Sequence, residues 1–226
     1  MTNCNCNNEY EEYDICACEP KLGEKAPDFE AVTTQGTIKF SEFNKGSWVI
    51  LFSHPADFTP VCTTEFSAFA EKQDEFEKRN VKLLGLSIDS VFSHIAWVRD
   101  IEKKFDVKIK FPVIADLSQE VANLYGMIHP AISDVMAVRT IFIIDPQGIV
   151  RFTVSYPSSV GRNIKEIIRI VDALQVVDKE GVATPANWNQ GDNVIVPPPH
   201  TVEEAESRLH EGHEECHDWF LCKRKV

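Results

Sequence analysis

The side chain with the clearest capacity for chemistry is the thiol of Cys62. It sits in Phe52-Ser-His-Pro-Ala-Asp-Phe-Thr-Pro-Val-Cys-Thr-Thr-Glu-Phe66. An apolar run, Trp48 to Phe52, leads into this stretch and predicts a buried strand ending near His54. Pro55 and Asp57 mark a loop. Thr59-Pro60 then reads as an N-cap followed by the first helical residue. On that count Cys62 is the third residue of the helix. Its sulfur lies among the unpaired N–H groups of the first turn, at the positive end of the macrodipole. Such surroundings favour the thiolate, the nucleophilic form of cysteine. A buried cysteine acting as a small hydrophobe is the other reading of the same residue. The residues by themselves leave both open and name no substrate.

The remaining thiols lie near the two ends. The chain has seven cysteines, an odd number: Cys4, Cys6, Cys16, Cys18, Cys62, Cys216 and Cys222. This is not the pattern of a secreted disulfide scaffold, and in a reducing compartment such residues point to metal, redox or catalytic chemistry. Cys4-x-Cys6 with Cys16-x-Cys18 offers four thiolates to a tetrahedral metal, although each pair is spaced more tightly than the usual Cys-x2-Cys. A tail disulfide and incidental thiols are the alternatives. His210, His213, Cys216 and His217 fall at helical spacings of 3 and 4, which gathers them on one face; their acidic neighbours favour an ordinary solvated helix.

The elements that must position Cys62 follow from the apolar pattern. Strands are predicted at Ser47–His54, Val81–Asp89, Phe111–Ala115, Arg139–Asp145 and Ile149–Tyr156. The first two are dense in Val, Ile, Leu and Phe, as expected for strands covered on both faces. Asp145-Pro-Gln-Gly148 is a turn signal, so the last two form an antiparallel hairpin. Helices are predicted over Pro60–Arg79, Ser90–Phe105, Ser118–Leu124 and Asn163–Val177, the last with Ile164, Ile167, Ile168, Val171 and Leu174 on one stripe. Strands alternating with helices describe an α/β fold with a mixed central sheet flanked by helices. Residues 1–20 form an acidic, cysteine-rich tail, 21–180 the main domain and 181–226 a C-terminal extension. That extension opens with extended, proline-rich segments. Thr201-Val-Glu-Glu204 then reads as an N-cap with acidic first-turn residues, predicting a helix to about Glu215.

Composition narrows the class. Lys and Arg total 23 against 35 Asp and Glu, a formal net charge of −12. An acidic protein gains nothing from counterion release, so no nucleic-acid partner is expected. The longest apolar run of the first half is far short of the about 20 residues of a membrane span. The N-terminus lacks the basic and apolar regions of a signal peptide. No membrane association is expected, and the expected location is cytoplasmic.

Pro55-x-x-x-Thr59-x-x-Cys62 resembles the active-site motif of the peroxiredoxins, thiol peroxidases on a thioredoxin-like fold. Phe52–Phe66 and Ala183–Pro199 both resemble the one-cysteine type, and the resemblance spans about residues 21–226. It implies that Cys62 is the peroxidatic cysteine and that Thr59 contacts both peroxide and thiolate. Pro55 would shield the pocket, Arg139 would stand beside the sulfur, and Glu65 would position arginine. Arg162 resembles a second active-site arginine, and His54 a histidine beside the motif. No cofactor and no metal are implied for the reaction. The paired cysteines near the end resemble those of microbial members, which implies Cys222 as the resolving thiol on a neighbouring subunit, with Cys216 exchanging with it. The implied partners are a peroxide substrate, a thiol reductant (thioredoxin-like or a small thiol) and a second copy of the chain, in a homodimer assembling into a ring of dimers. An oligomeric holdase with secondary peroxidase activity is the alternative. Lys45-Gly-Ser-Trp-Val49 lacks the glycines of a lipase-type nucleophile elbow, so no phospholipase activity is expected.

Overall fold

The computed structural model describes residues 19–226; Cys4, Cys6, Cys16 and Cys18 lie outside the described residues. The chain divides into two compact units, with the boundary between Ile164 and Lys165.

The first unit contains, in order, β1 (Glu30–Thr33), β2 (Gly36–Lys39), α1 (Phe40–Asn44), β3 (Trp48–Ser53), α2 (Pro60–Glu71), α3 (Gln73–Lys78), β4 (Val81–Ser87), α4 (Val91–Phe105), β5 (Val113–Ala115), α5 (Glu120–Leu124), β6 (Arg139–Ile144) and β7 (Val150–Tyr156). The strands form one seven-stranded sheet in the order β2-β1-β5-β4-β3-β6-β7. β3 and β5 run parallel to β4, whereas β6 runs antiparallel to both β3 and β7. The sheet is therefore mixed, as the sequence predicts.

Alternation along β3 splits its side chains between two cores. Val49 and Leu51 join Phe40, Leu84, Tyr125 and Phe142 on one face. Phe52 points to the other, against Phe66 and Phe69 of α2 and Phe111. Gly85 of β4 passes close beneath this aromatic group: a Cβ there would lie 3.3 Å from the Phe66 ring, tight enough that the ring would have to shift. The β6–β7 turn closes as expected: Asp145 Oδ1 accepts the N–H groups of Gln147 and Ile149, and Gly148 takes a φ of 79°.

The predicted helix over Pro60–Arg79 is broken. The N–H of Lys72 bonds the carbonyl of Phe69, three residues back. α3 restarts at Gln73, whose buried side chain leaves the helix surface to accept the N–H of Lys110 at 3.1 Å. A side-chain tether from a distant segment thus overrides a continuous helical pattern.

The second unit contains α6 (Ile164–Glu180, its first residue at the boundary), β8 (Val194–Ile195), α7 (Val202–Arg208), β9 (Glu215–Asp218) and β10 (Leu221–Arg224). Val182, Trp188 and Val194 form its small core, with Ala173 and Val176 of α6 against them. Thr201 caps α7 in a full capping box with Glu204. The helix ends at Arg208, not near Glu215, and the chain turns through Gly212 into a strand. Cys216 and His217 lie in that strand, so His210, His213, Cys216 and His217 do not share a helical face. β8, β10 and β9 form a three-stranded sheet in that order, which replaces the expected C-terminal helical ending. Cys216 and Cys222 are register partners on β9 and β10 and are joined by a disulfide.

Candidate active site

β3 ends at Ser53, and the N–H of His54 still bonds the carbonyl of Leu86 on β4 at 2.9 Å. The loop then tightens through Phe58, whose φ of 55° is left-handed. For a bulky residue that conformation costs about 1–2 kcal/mol. It turns the chain into α2 within one residue.

Thr59 is the N-cap of α2 and Pro60 its first residue, so Cys62 stands third, as the sequence predicts. The cap differs in one respect. The Thr59 hydroxyl makes no capping bond to the helix; it donates to the carbonyl of Ala56 at 2.8 Å. The first-turn N–H groups therefore receive nothing from the Thr59 side chain.

Cys62 is fully buried and is the free cysteine among the described residues. Arg139, the first residue of β6, donates from Nη1 to Cys62 Sγ at 3.2 Å and to Glu65 Oε2 at 2.8 Å. Its Nε and Nη2 both donate to the carbonyl of Ser158, at 3.0 and 2.8 Å, which fixes the plane of the guanidinium. Arg162 grips Glu65 from the other side. Its Nε donates to Oε1 at 2.9 Å, its Nη2 to Oε2 at 2.6 Å and its backbone N–H to Oε1 at 2.8 Å. Its Nη1 donates to the carbonyl of Ser53 at 2.9 Å, and its guanidinium lies over the ring of Phe52.

Glu65, Arg139 and Arg162 are all buried. Burial, the largest influence on Glu65, opposes its charge. The attraction and hydrogen bonds of Arg162, with Arg139 behind them, outweigh it and hold the carboxyl below its ordinary range. The network contains two guanidiniums and one carboxylate. One positive charge is left over, and the side chain it touches is Cys62. Buried charges are tolerated when paired and hydrogen-bonded.

The expected site residues divide into groups. Cys62, Glu65, Arg139 and Arg162 share one network. Thr59 stands one turn before the sulfur, and Pro55 is buried in the loop. His54 belongs to a different cluster. Its Nε2 donates to Asp57 Oδ1 at 3.0 Å, and Asp57 also holds His94 Nδ1 at 2.8 Å. Burial drives the His54 imidazole below its usual range although Asp57 works the other way. On Asp57 the hydrogen bonds from the two rings overcome burial and bring the carboxyl down to about 2. Asp57 and His94 were not singled out from the sequence. Nothing in a local reading joins a loop aspartate to a helix histidine 37 residues away. Ser158, the anchor of Arg139, acts through its backbone carbonyl and leaves no trace in residue type. Cys216 and Cys222 belong to the second unit, paired with each other.

Comparison with known proteins identifies the family. Residues 22–153 match the AhpC/TSA family, and residues 173–212 match the C-terminal domain of 1-Cys peroxiredoxin. A peroxiredoxin of Aquifex aeolicus is 59% identical over 92% of this chain and 97% of its own. One of Methanosarcina mazei is 56% identical over 91% and 98%. Among solved structures, a yeast mitochondrial 1-Cys peroxiredoxin superposes with a TM-score of 0.80 at 44% identity, over 91% of this chain and 99% of that one. A mutant peroxiredoxin 6 of Arenicola marina gives 0.80 at 37% identity, over 91% and 97%. With a thioredoxin-like sheet, a buried cysteine opening a helix and an arginine on its sulfur, the chain belongs to the peroxiredoxin family of thiol-dependent peroxidases.

Proposed function

We propose that Cys62 is the peroxidatic residue and acts as a thiolate on hydrogen peroxide and organic hydroperoxides. The observation that carries this reading is the unbalanced positive charge of the Arg139–Glu65–Arg162 network, directed through Arg139 Nη1 at the sulfur. The thiolate attacks one oxygen in line with the O–O bond. The bond breaks heterolytically, the sulfur gains that oxygen as a sulfenic acid, and the second oxygen leaves as water or an alcohol after protonation. Charge that develops on the departing oxygen meets Arg139 and the first-turn N–H groups of α2, fixed donors in a site from which water is excluded. Thr59 aligns the peroxide, since a hydroxyl donates and accepts together. Pro55 closes the loop side of the pocket. Arg162 holds Glu65, and Glu65 in turn holds Arg139.

Resolution belongs to the C-terminal thiols. Cys222 of a neighbouring subunit condenses with the sulfenic acid, releasing water and forming a Cys62–Cys222 disulfide. Cys216 then attacks Cys222, frees Cys62 as a thiol and leaves the Cys216–Cys222 pair for an external thioredoxin-like protein or small thiol to reduce. The pairing of those two cysteines supports the last step. The acting assembly is a homodimer, in a ring of dimers.

Peroxide consumption by Cys62→Ser should fall to background; retained turnover would refute the assignment. On non-reducing gels, Cys216→Ser should accumulate a peroxide-induced disulfide-linked dimer, and Cys222→Ser should form none. A dimer that persists unchanged in Cys222→Ser would move resolution to another thiol.

A further inference from the structure

The disulfide of the second unit offers its two ends to solvent unequally. Cys216 is exposed, whereas Cys222 is fully buried. We propose that the external thiol reductant attacks the Cys216 sulfur, so that Cys216 carries the mixed disulfide and Cys222 departs as the leaving thiolate. This rests on the reading that the two C-terminal thiols resolve Cys62, and it adds which of them meets the reductant.

Thiol–disulfide exchange is a displacement along the S–S axis, and its rate depends on which sulfur the incoming thiolate can reach. The thiolate must approach one sulfur from the side opposite the other. Cys222, with no exposed surface, offers no such approach.

The sheet makes the same distinction. β10 is the middle strand of the order β8-β10-β9. It pairs with β8 through Lys223 and Arg224 and with β9 from Leu221 to Lys223. The carbonyl of Cys222 accepts the N–H of Val196 at 2.9 Å. A group joined to Cys222 would have to be fitted into a strand that is bonded on both sides. β9 is an outer strand of this sheet, and Cys216 is followed there by the exposed His217 and Asp218. Trp219 and Phe220, in the turn between the two cysteines, are exposed as well. A partner joined to Cys216 therefore stands among exposed side chains.

The exchange balances. The reductant thiolate forms a bond to Cys216 Sγ, the Cys216–Cys222 bond breaks, and Cys222 takes both electrons of that bond and then a proton from solvent. A second thiol, of the same reductant or of another small-thiol molecule, then attacks the reductant's sulfur and releases Cys216. The reductant leaves as a disulfide, oxidised by two electrons. Cys222, the thiol that meets the next sulfenic acid, is thus freed one step before Cys216.

The test uses the full-length chain with its C-terminal pair closed by diamide, a thiol oxidant that acts without Cys62. Excess β-mercaptoethanol is added briefly and the mixture is quenched in acid. Chymotryptic cleavage at Trp219 and Phe220 then puts the two cysteines in separate peptides for mass mapping. Early adduct on Cys216 should exceed that on Cys222 by about tenfold or more. A smaller bias, or a majority on Cys222, would overturn the proposal. Repeated in urea, the bias should collapse toward parity, because burial is its cause; a bias unchanged by unfolding would equally overturn it. The route beneath the proposal is judged separately. Peroxide given to the reduced protein should close the Cys216–Cys222 pair. Absence of that pair would refute the resolving route, while the diamide-closed sample would still decide which sulfur is attacked.

Discussion

Two buried polar clusters flank the start of α2, and they differ in what completes them. Around Cys62, two arginines meet one carboxylate, and the excess is positive. Around His54, one buried carboxylate, Asp57, is held by two imidazoles, His54 and His94. Both draw on the same short stretch, His54 to Glu65. The difference lies in what completes each one. The first directs its excess at a side chain of the same segment, the Cys62 sulfur. The second closes on itself, His54 and His94 both bonded to Asp57. The same peptide segment thus carries an arginine-bound sulfur on one side and a closed histidine–aspartate group on the other.

The comparison can be broken most forcefully at the arginine that touches sulfur. Arg139→Lys keeps a positive charge but loses the fork that reaches Cys62, Glu65 and Ser158 together. The rate of peroxide reduction should fall by about 10²–10³-fold, the usual cost of losing one such donor. Stopped-flow kinetics would check it, and a change under tenfold would mean that Arg139 serves only the fold. Glu65→Ala removes the one carboxylate between two buried guanidiniums. It should destabilise the protein by about 3–5 kcal/mol, the range for breaking a buried pair, as read by urea unfolding.

A smaller effect separates the clusters by pH. The Glu65 carboxyl sits below its ordinary range in the fold. Its stabilisation is therefore complete above the unfolded carboxylate value of about 4.3 and is lost as the pH falls through the folded value. Glu65→Gln should be less stable at neutral pH and should lose less on acidification than the parent. Parallel acid dependence in the two proteins would remove Glu65 from the account. The smallest expected effect belongs to Asp57→Asn. It should leave peroxide reduction within about tenfold of the parent, because Asp57 contacts neither the sulfur nor its arginine; a loss as large as that of Arg139→Lys would merge the two clusters into one site.

Local chemistry foretold the half of the site that is local. Thr59-Pro60 announces the helix start, and the run through Phe52 announces the strand, so the position of Cys62 in the first turn follows. The β6–β7 hairpin follows from Asp145 to Gly148 in the same way. What sequence patterns do not carry is partnership at a distance. The break at Lys72 depends on Gln73 reaching Lys110. The Asp57–His94 pair depends on α4 packing against the loop. β1, β2, β9 and β10 are only four residues each, and β2 and β9 are mostly exposed, so they lack the long apolar alternation that would mark them. The charge imbalance at Cys62 emerged only when Arg139 and Arg162, far apart in the chain, met on one carboxylate.

The central claim concerns which sulfur meets the oxidant. Reduced full-length protein, given one equivalent of hydrogen peroxide and quenched at once with a thiol-blocking reagent, should carry the oxidation on Cys62 by peptide mass mapping, as a sulfenic acid or the Cys62–Cys222 disulfide, before the Cys216–Cys222 pair forms. Oxidation appearing first as the Cys216–Cys222 pair, with Cys62 still a free thiol throughout, would contradict it.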